Sequence, residues 1–327
     1  MPLVTEVLAR FSTARASAPI RYSMLKDIIA KIPRRLGRYS NDAAVRINNG
    51  ADHIMRLIKR RPTVLSIDAT IDEAIRNKCS ISRYGDGELK LMAGLGICVQ
   101  PFAEELASRL RGIIRSEEPR LLICLPDVFG SLNQYKEEEK QYWSRHLVKY
   151  RRLWYSVLKM DNVYYNAFIS SFYDRVVDKS RCGEWFRMMQ GLWEERDVVL
   201  VEGEESRLGV GNDLFDNVRS TKRILAPPEN AFARYKDILT EVEKQDRSKL
   251  ILIALGPTAT VLVYDLHKLG FQAIDVGHID IEYEWYLRKA STKIRIDNKY
   301  VVFVRDGTEV QDCMDPRYMS EIMCRIR

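Results

Sequence analysis

From residue 197 onward the chain alternates short β-branched, apolar runs with longer amphipathic ones, and that alternation leaves few folds open. Strands are expected at 197–201, 223–226, 250–255, 272–276 and 300–304, with helices at 231–244, 258–269 and 282–290. The run at 250–255 is almost unbroken in apolar character, as in a strand buried on both faces. Strand–helix–strand repeats fold into a mostly parallel sheet with helices on both faces, because each parallel crossover must return across the sheet. The reading is an α/β domain over 63–327.

Upstream, Thr70-Ile-Asp-Glu73 has capping-box spacing and is expected to open a helix through Asn77. A strand at 80–83, a helix at 103–115 and a strand at Leu121–Leu125 follow. A charged helix is expected at 133–149, with Trp143, Leu147 and Leu153 on one face. The segment 162–173 is aromatic and matches neither period. Trp185, Phe186, Met189 and Trp193 mark another helix, and that aromatic stripe reads as core.

The net charge of +7 is unevenly distributed. Residues 1–62 hold 13 Lys/Arg against 4 Asp/Glu, a net of +9, which leaves 39 against 41 for the remainder. A basic, amphipathic helical extension is therefore expected at 1–62. It packs on the body or on a second subunit of a homo-oligomer, or docks on an anionic membrane surface; an organelle transit peptide is a third reading. The main body lacks the basic footprint of a nucleic-acid binder. The six cysteines show no metal-binding spacing and read as reduced thiols. No apolar run reaches the roughly 18 residues of a membrane span. A cytoplasmic protein is expected, with peripheral contact at the inner face of the membrane through 1–62.

Four loops follow strands, and in a parallel sheet they fall on one rim, where ligands bind. In the first, Arg83 is a fixed cation suited to phosphate, and Asp86 and Glu88 stand one residue apart. An extended or turn-like backbone would point both carboxylates the same way, toward one divalent cation. The second, at 202–213, brings Arg207, Gly209, Gly211 and the polar pair Asn212 and Asp213 to an expected helix start, where either polar residue can act as a plain cap. In the third, Gly256, Thr258 and Thr260 surround Pro257 in an expected anion cradle that lacks a P-loop lysine. A plain tight turn is the alternative there. The fourth gathers His278, Asp280, Glu282 and Glu284. These are ordinary first-turn acids and a structural histidine, or metal ligands and a general base.

Together the four blocks resemble the GT-D-type glycosyltransferase family over about 65–305. The resemblance rests on Ser80-Ile-Ser-Arg-Tyr-Gly-Asp-Gly-Glu-Leu89, Glu202-Gly-Glu with Ser206-Arg-Leu-Gly-Val-Gly-Asn-Asp-Leu-Phe215, Arg223-Ile-Leu-Ala-Pro227 with Asn230-Ala-Phe232, and Gly256-Pro-Thr-Ala-Thr-Val-Leu262 running to Gly277-His-Ile-Asp-Ile-Glu-Tyr-Glu-Trp285. It implies a Rossmann-like fold and sugar transfer from a nucleotide sugar, typically a UDP-sugar, to a glycan, glycoprotein or lipid-linked acceptor. It further implies Mn²⁺ or Mg²⁺ at Asp86-Gly-Glu88, with His278 a further ligand or an orienter of the diphosphate. Glu284 would be the base and Asp280 its reserve. Arg83, Arg207, Asn212, Gly256, Thr258 and Thr260 would bind the nucleotide sugar. A metal-dependent phosphoesterase or nucleotide hydrolase could use the same carboxylates, and a non-catalytic nucleotide binder is the third reading.

Overall fold

The computed structural model describes residues 61–327. The expected extension at 1–62 lies outside the described residues but for its last two positions. Nine strands form one sheet: β1 (Thr63–Val64), β2 (Ser80–Arg83), β3 (Leu121–Leu125), β4 (Val163–Asn166), β5 (Asp197–Gly203), β6 (Ser220–Ala226), β7 (Leu250–Ala254), β8 (Gln272–Asp275) and β9 (Ile322–Arg325). The helices are α1 (Ile67–Asn77), α2 (Asp86–Met92), α3 (Glu104–Ile113), α4 (Glu137–Val157), α5 (Cys182–Gln190), α6 (Tyr235–Glu243), α7 (Pro257–Lys268), α8 (Ile279–Leu287) and α9 (Pro316–Glu321).

The strand order is β1-β4-β3-β2-β8-β7-β5-β6-β9, and every pair is parallel. The expected α/β architecture is therefore what forms. At the middle of the sheet β7 buries Leu250, Ile251, Leu252 and Ile253 completely, each such side chain contributing about 1.5–3 kcal/mol relative to exposure. α7 packs across β2 and β8 through a face that buries Ala259, Leu262 and Val263. From β2 the chain moves outward to β3, whereas from β8 it leaves for the opposite edge at β9. The carboxyl ends of β2 and β8 thus flank a crevice, the topological switch point at which open parallel sheets bind ligands.

Several local expectations change. Ser66, not Thr70, caps α1: its hydroxyl accepts from the Ala69 N–H at 3.1 Å. Thr70 lies inside the helix and donates to the Ser66 carbonyl. The loop 207–213 opens no helix, since turns continue to β6 through a run rich in Gly, Asn and Asp. Residues 300–304 are turns rather than a closing strand, with Val301 buried and Phe303 53% exposed. The sheet closes instead with β9. The segment 162–173 supplies β4 and a short 3₁₀ turn at Ala167–Ser170. No helix among the described residues is long and apolar enough to cross a membrane.

Candidate active site

Asp86 and Glu88 occupy the first and third positions of α2, directly after β2. In a helix, successive residues turn by about 100°, so positions i and i+2 diverge. The parallel carboxylates expected from an extended backbone do not form. Oε2 of Glu88 folds back to accept the Gly85 N–H at 2.6 Å, the returning half of a capping box. Oδ2 of Asp86 accepts from Lys90 at 2.6 Å and from the Tyr142 hydroxyl. Lys90 was legible from its i,i+4 spacing; Tyr142 arrives from α4, with no local signal.

The electrostatics of the two acids differ. Burial pushes Asp86 up, but the bonds from Lys90 and Tyr142 outweigh it and hold the carboxyl below its usual value. Burial lifts Glu88 to about 7; backbone donors offset it only in part, and Asp275 and Asp86 add to it. Asp86 is thus held ionised by its partners, while burial favours the protonated form of Glu88. Among the described residues, no three His, Cys, Asp or Glu side chains converge as a metal set. Mg²⁺ and Mn²⁺ are commonly held by one or two acids and completed by substrate phosphates and water, so Asp86 and Glu88 could hold such an ion once their side chains turn from these bonds.

Arg83 ties this corner to β8. Its Nη2 donates to Asp275 Oδ1 at 2.7 Å, Nε to the Asp275 carbonyl at 2.9 Å and Nη1 to the Ala167 carbonyl at 3.1 Å. Its hydrogen bonds thus go to protein, and its charge acts on the crevice at a distance. The guanidinium lies against Gly277, whose φ is +46°; a Cβ there would sit 1.9 Å from Nη2. Only glycine fits. The next residue, His278, is exposed at the start of α8, where protein packs around its ring. Burial, then Arg83, Arg175 and Lys293, drive its imidazole down to about 4. Its ring meets Phe303, centroid to centroid 4.8 Å. Arg175, Lys293 and Phe303 had no motif to reveal them.

Asp280 and Glu284 lie one turn apart on α8, in a second group. Asp280 Oδ1 accepts from the Gly209 N–H at 2.9 Å and Asn212 Nδ2 at 2.8 Å, and Oδ2 from Lys299 Nζ at 2.6 Å. Glu284 Oε1 accepts from Asn212 at 2.7 Å, and Oε2 from Arg288 at 3.0 Å. Burial raises Glu284, but Asn212, Lys299 and Arg288 together pull it below the usual carboxylate range. Asp280 and Lys299 side chains are 1% and 4% exposed, and Glu284 6%. Among the described residues, no hydrogen bond or ion pair joins this group to Asp86, Glu88 or His278. Lys299, from an irregular segment, was not anticipated. Glu282, between them, points elsewhere: Oε2 accepts the Asp174 N–H at 2.9 Å.

The remaining candidates are turned inward. Arg207 is buried; its Nη1 and Nη2 donate to the carbonyls of Asn298 and Gln311, and Nε has no partner among the described residues. Thr258 and Thr260 are fully buried, donating to Gln100 Oε1 and the Arg83 carbonyl. Gly256, φ +53°, caps α7 as expected of a tight turn, and Val99 lies 3.6 Å from where its Cβ would be. The expected anion cradle is thus covered by the 97–100 segment, with both hydroxyls spent on protein.

A parallel sheet with an acidic helix start at its switch point defines an α/β domain with a candidate ligand site there, and the comparisons place it more narrowly. The profile of the family described as "Glycosyltransferase GT-D fold" matches residues 81–303. A solved structure described as a new glycosyltransferase (DUF1792) from Streptococcus sanguinis is 39% identical. It superposes with a TM-score of 0.79, covering 82% of this chain and 100% of that one. The "Probable glycosyl transferase Gly" of Streptococcus gordonii is 39% identical over 269 residues, 82% of this chain. "Glycosyltransferase GlyD" of Streptococcus pneumoniae serotype 4 is 40% identical over 264 residues, 80% of this chain. The chain spans 39% and 32% of the length of these two relatives. The chain belongs to the GT-D glycosyltransferase family, and that membership makes the described domain a glycosyltransferase domain.

Proposed function

We propose that this domain transfers a sugar from a nucleoside diphosphate sugar, a UDP-sugar, to a hydroxyl of a glycan or glycoconjugate acceptor. The observation that carries this reading is the placement of Asp86 and Glu88 at the start of α2, directly after β2 at the β2–β8 switch point, across which Arg83 is fixed on Asp275 and His278 follows β8 near Arg175 and Lys293. Breaking the anomeric C–O bond leaves negative charge on the departing diphosphate. A Mn²⁺ or Mg²⁺ bound at Asp86 and Glu88 would supply Lewis acidity toward that leaving group. Arg175 and Lys293 add positive potential, and Arg83, fixed between β2 and β8, sets the shape of the floor.

Glu284 is the acceptor-side base in this reading. Of the two buried acids, it keeps the larger share of its side chain at the surface, and its neighbours hold it ionised. Asp280, spent on Lys299, positions Asn212 and thereby Glu284. Turnover of UDP-sugars, assayed as UDP release with an acceptor mixture, should depend on Mn²⁺ or Mg²⁺ and vanish with a chelator. Asp86→Asn should lose 10²-fold or more in kcat/KM, about 2.7 kcal/mol, while Glu284→Gln should keep UDP binding and lose transfer. Normal transfer by Glu284→Gln would remove the base assignment; free sugar released at equal rate without acceptor would point to hydrolysis instead.

A further inference from the structure

Between α8 and α9 the chain runs as an irregular strap, 288–315, fixed at several places. Arg207 holds the carbonyls of Asn298 and Gln311, Lys299 is buried on Asp280 at 2.6 Å, and the Tyr300 hydroxyl donates to Glu229 at 2.8 Å. Two side chains of this strap lie near His278, the residue that follows β8 at the switch point, and stay partly exposed. Phe303 is 53% exposed although its ring meets His278 at 4.8 Å and 62°, and Lys293 Nζ lies 5.3 Å from its centroid. Lys293 is 36% exposed, and its ion pairs are long, 3.9 Å to Glu139 and 3.4 Å to Asp174. Single exposed aromatics are ordinary on protein surfaces. One that meets the ring of an exposed histidine just after β8, near a loosely paired ammonium and on a backbone anchored on both sides, offers what a stacking platform needs: a half-exposed ring and a nearby cation for phosphate.

We propose that Phe303 and Lys293 form the nucleotide-reading face of the donor site, with the Phe303 ring stacking on the nucleobase and Lys293 meeting the diphosphate. This rests on the donor reading above and extends it to two residues outside the four loops. Stacking on a base is tolerant of base identity but needs an aromatic face; an ammonium acts on phosphate as a point charge. The two contributions are therefore separable by ligand.

Isothermal titration of the full-length chain in Mn²⁺, with UDP and with inorganic pyrophosphate, separates them. Phe303→Leu should weaken UDP about tenfold and leave pyrophosphate unchanged, and Phe303→Trp should bind UDP as the parent does. Lys293→Met should weaken both ligands about tenfold. Melting temperatures equal to the parent's exclude loss of fold as the cause. If both variants bind UDP within about twofold of the parent while Asp86→Asn loses it, the donor reading stands and this inference falls. If the parent itself binds none of UDP, GDP and ADP, the donor reading falls and takes this inference with it.

Discussion

The two acidic groups on the rim use the same residue types in opposite ways. At Asp280 and Glu284 each carboxylate meets a cation and an amide, and Asp280 and Lys299 are almost fully buried. At Asp86, Glu88 and His278 the side chains reach solvent and only Asp86 has an ion-pair partner among the described residues, Lys90 at 2.6 Å, while burial raises Glu88 to about 7 and lowers His278 to about 4. A buried charge without a partner is costly, so closed networks hold structure together. A carboxyl and an imidazole without ion partners at partly exposed positions keep their bonding capacity for a ligand. The first group fixes the loop 207–213 and the strap onto α8 and, through the same bonds, holds Glu284 in the ionised form a base needs; the second is where a ligand's charge has something to gain.

Lys299→Met should have the largest effect, because it strands Asp280 in a buried site. A loss of about 3–5 kcal/mol is expected in denaturant unfolding, and an unchanged midpoint would break the distinction between the groups. Glu282→Gln tests the intermediate case, an acid on the same helix that is 4% exposed with no ion pair among the described residues. Burial raises Glu282 from 4.5 to about 7, more than Arg175 and Lys293 offset. A raised acid favours the folded state while protonated. That contribution is complete below about pH 4.5 and is lost as pH rises through about 7. The glutamine variant escapes the loss, so it should be more stable than the parent at pH 8, by no more than about 3 kcal/mol, and indistinguishable near pH 4. Thermal melts at both pH values would show it; equal stability at pH 8 would mean that the charge is compensated. Arg288→Ala should do least, under about 1 kcal/mol, since that side chain is 48% exposed at the network's edge. A larger loss would show that the closed network extends to the surface.

The sheet was legible because its strands carry the signal themselves. The runs at 250–255 and 272–276 are apolar and β-branched, and turns or glycine bound them. β9 was missed because Ile322–Arg325 is short and only half-buried, alternating with exposed Met323 and Arg325. Residues 300–304 looked more like a strand than β9 does; that apolar run instead sends Val301 inward and leaves Phe303 half-exposed beside His278. The helix expected after 207–213 failed because turn chemistry overrode it, Asn212 bonding to α8 and to Leu214 rather than capping. Of the site, the acids and His278 could be found because they cluster in sequence. Their cations could not: Arg175, Lys293 and Lys299 come from segments with no period of their own, and tertiary pairing alone brings them in.

The packing of Arg83 on Gly277 has a consequence for how such a chain can change. Because a Cβ at 277 would sit 1.9 Å from the guanidinium, a side chain entering there must push the arginine off its bonds to Asp275 and Ala167. If position 83 shrinks first, the Asp275 carboxylate loses its partner and remains buried. Each single step carries a cost that changing both positions avoids. The two positions therefore form one heritable unit, 194 places apart in the chain, and a lineage that abandons one is expected to have abandoned both.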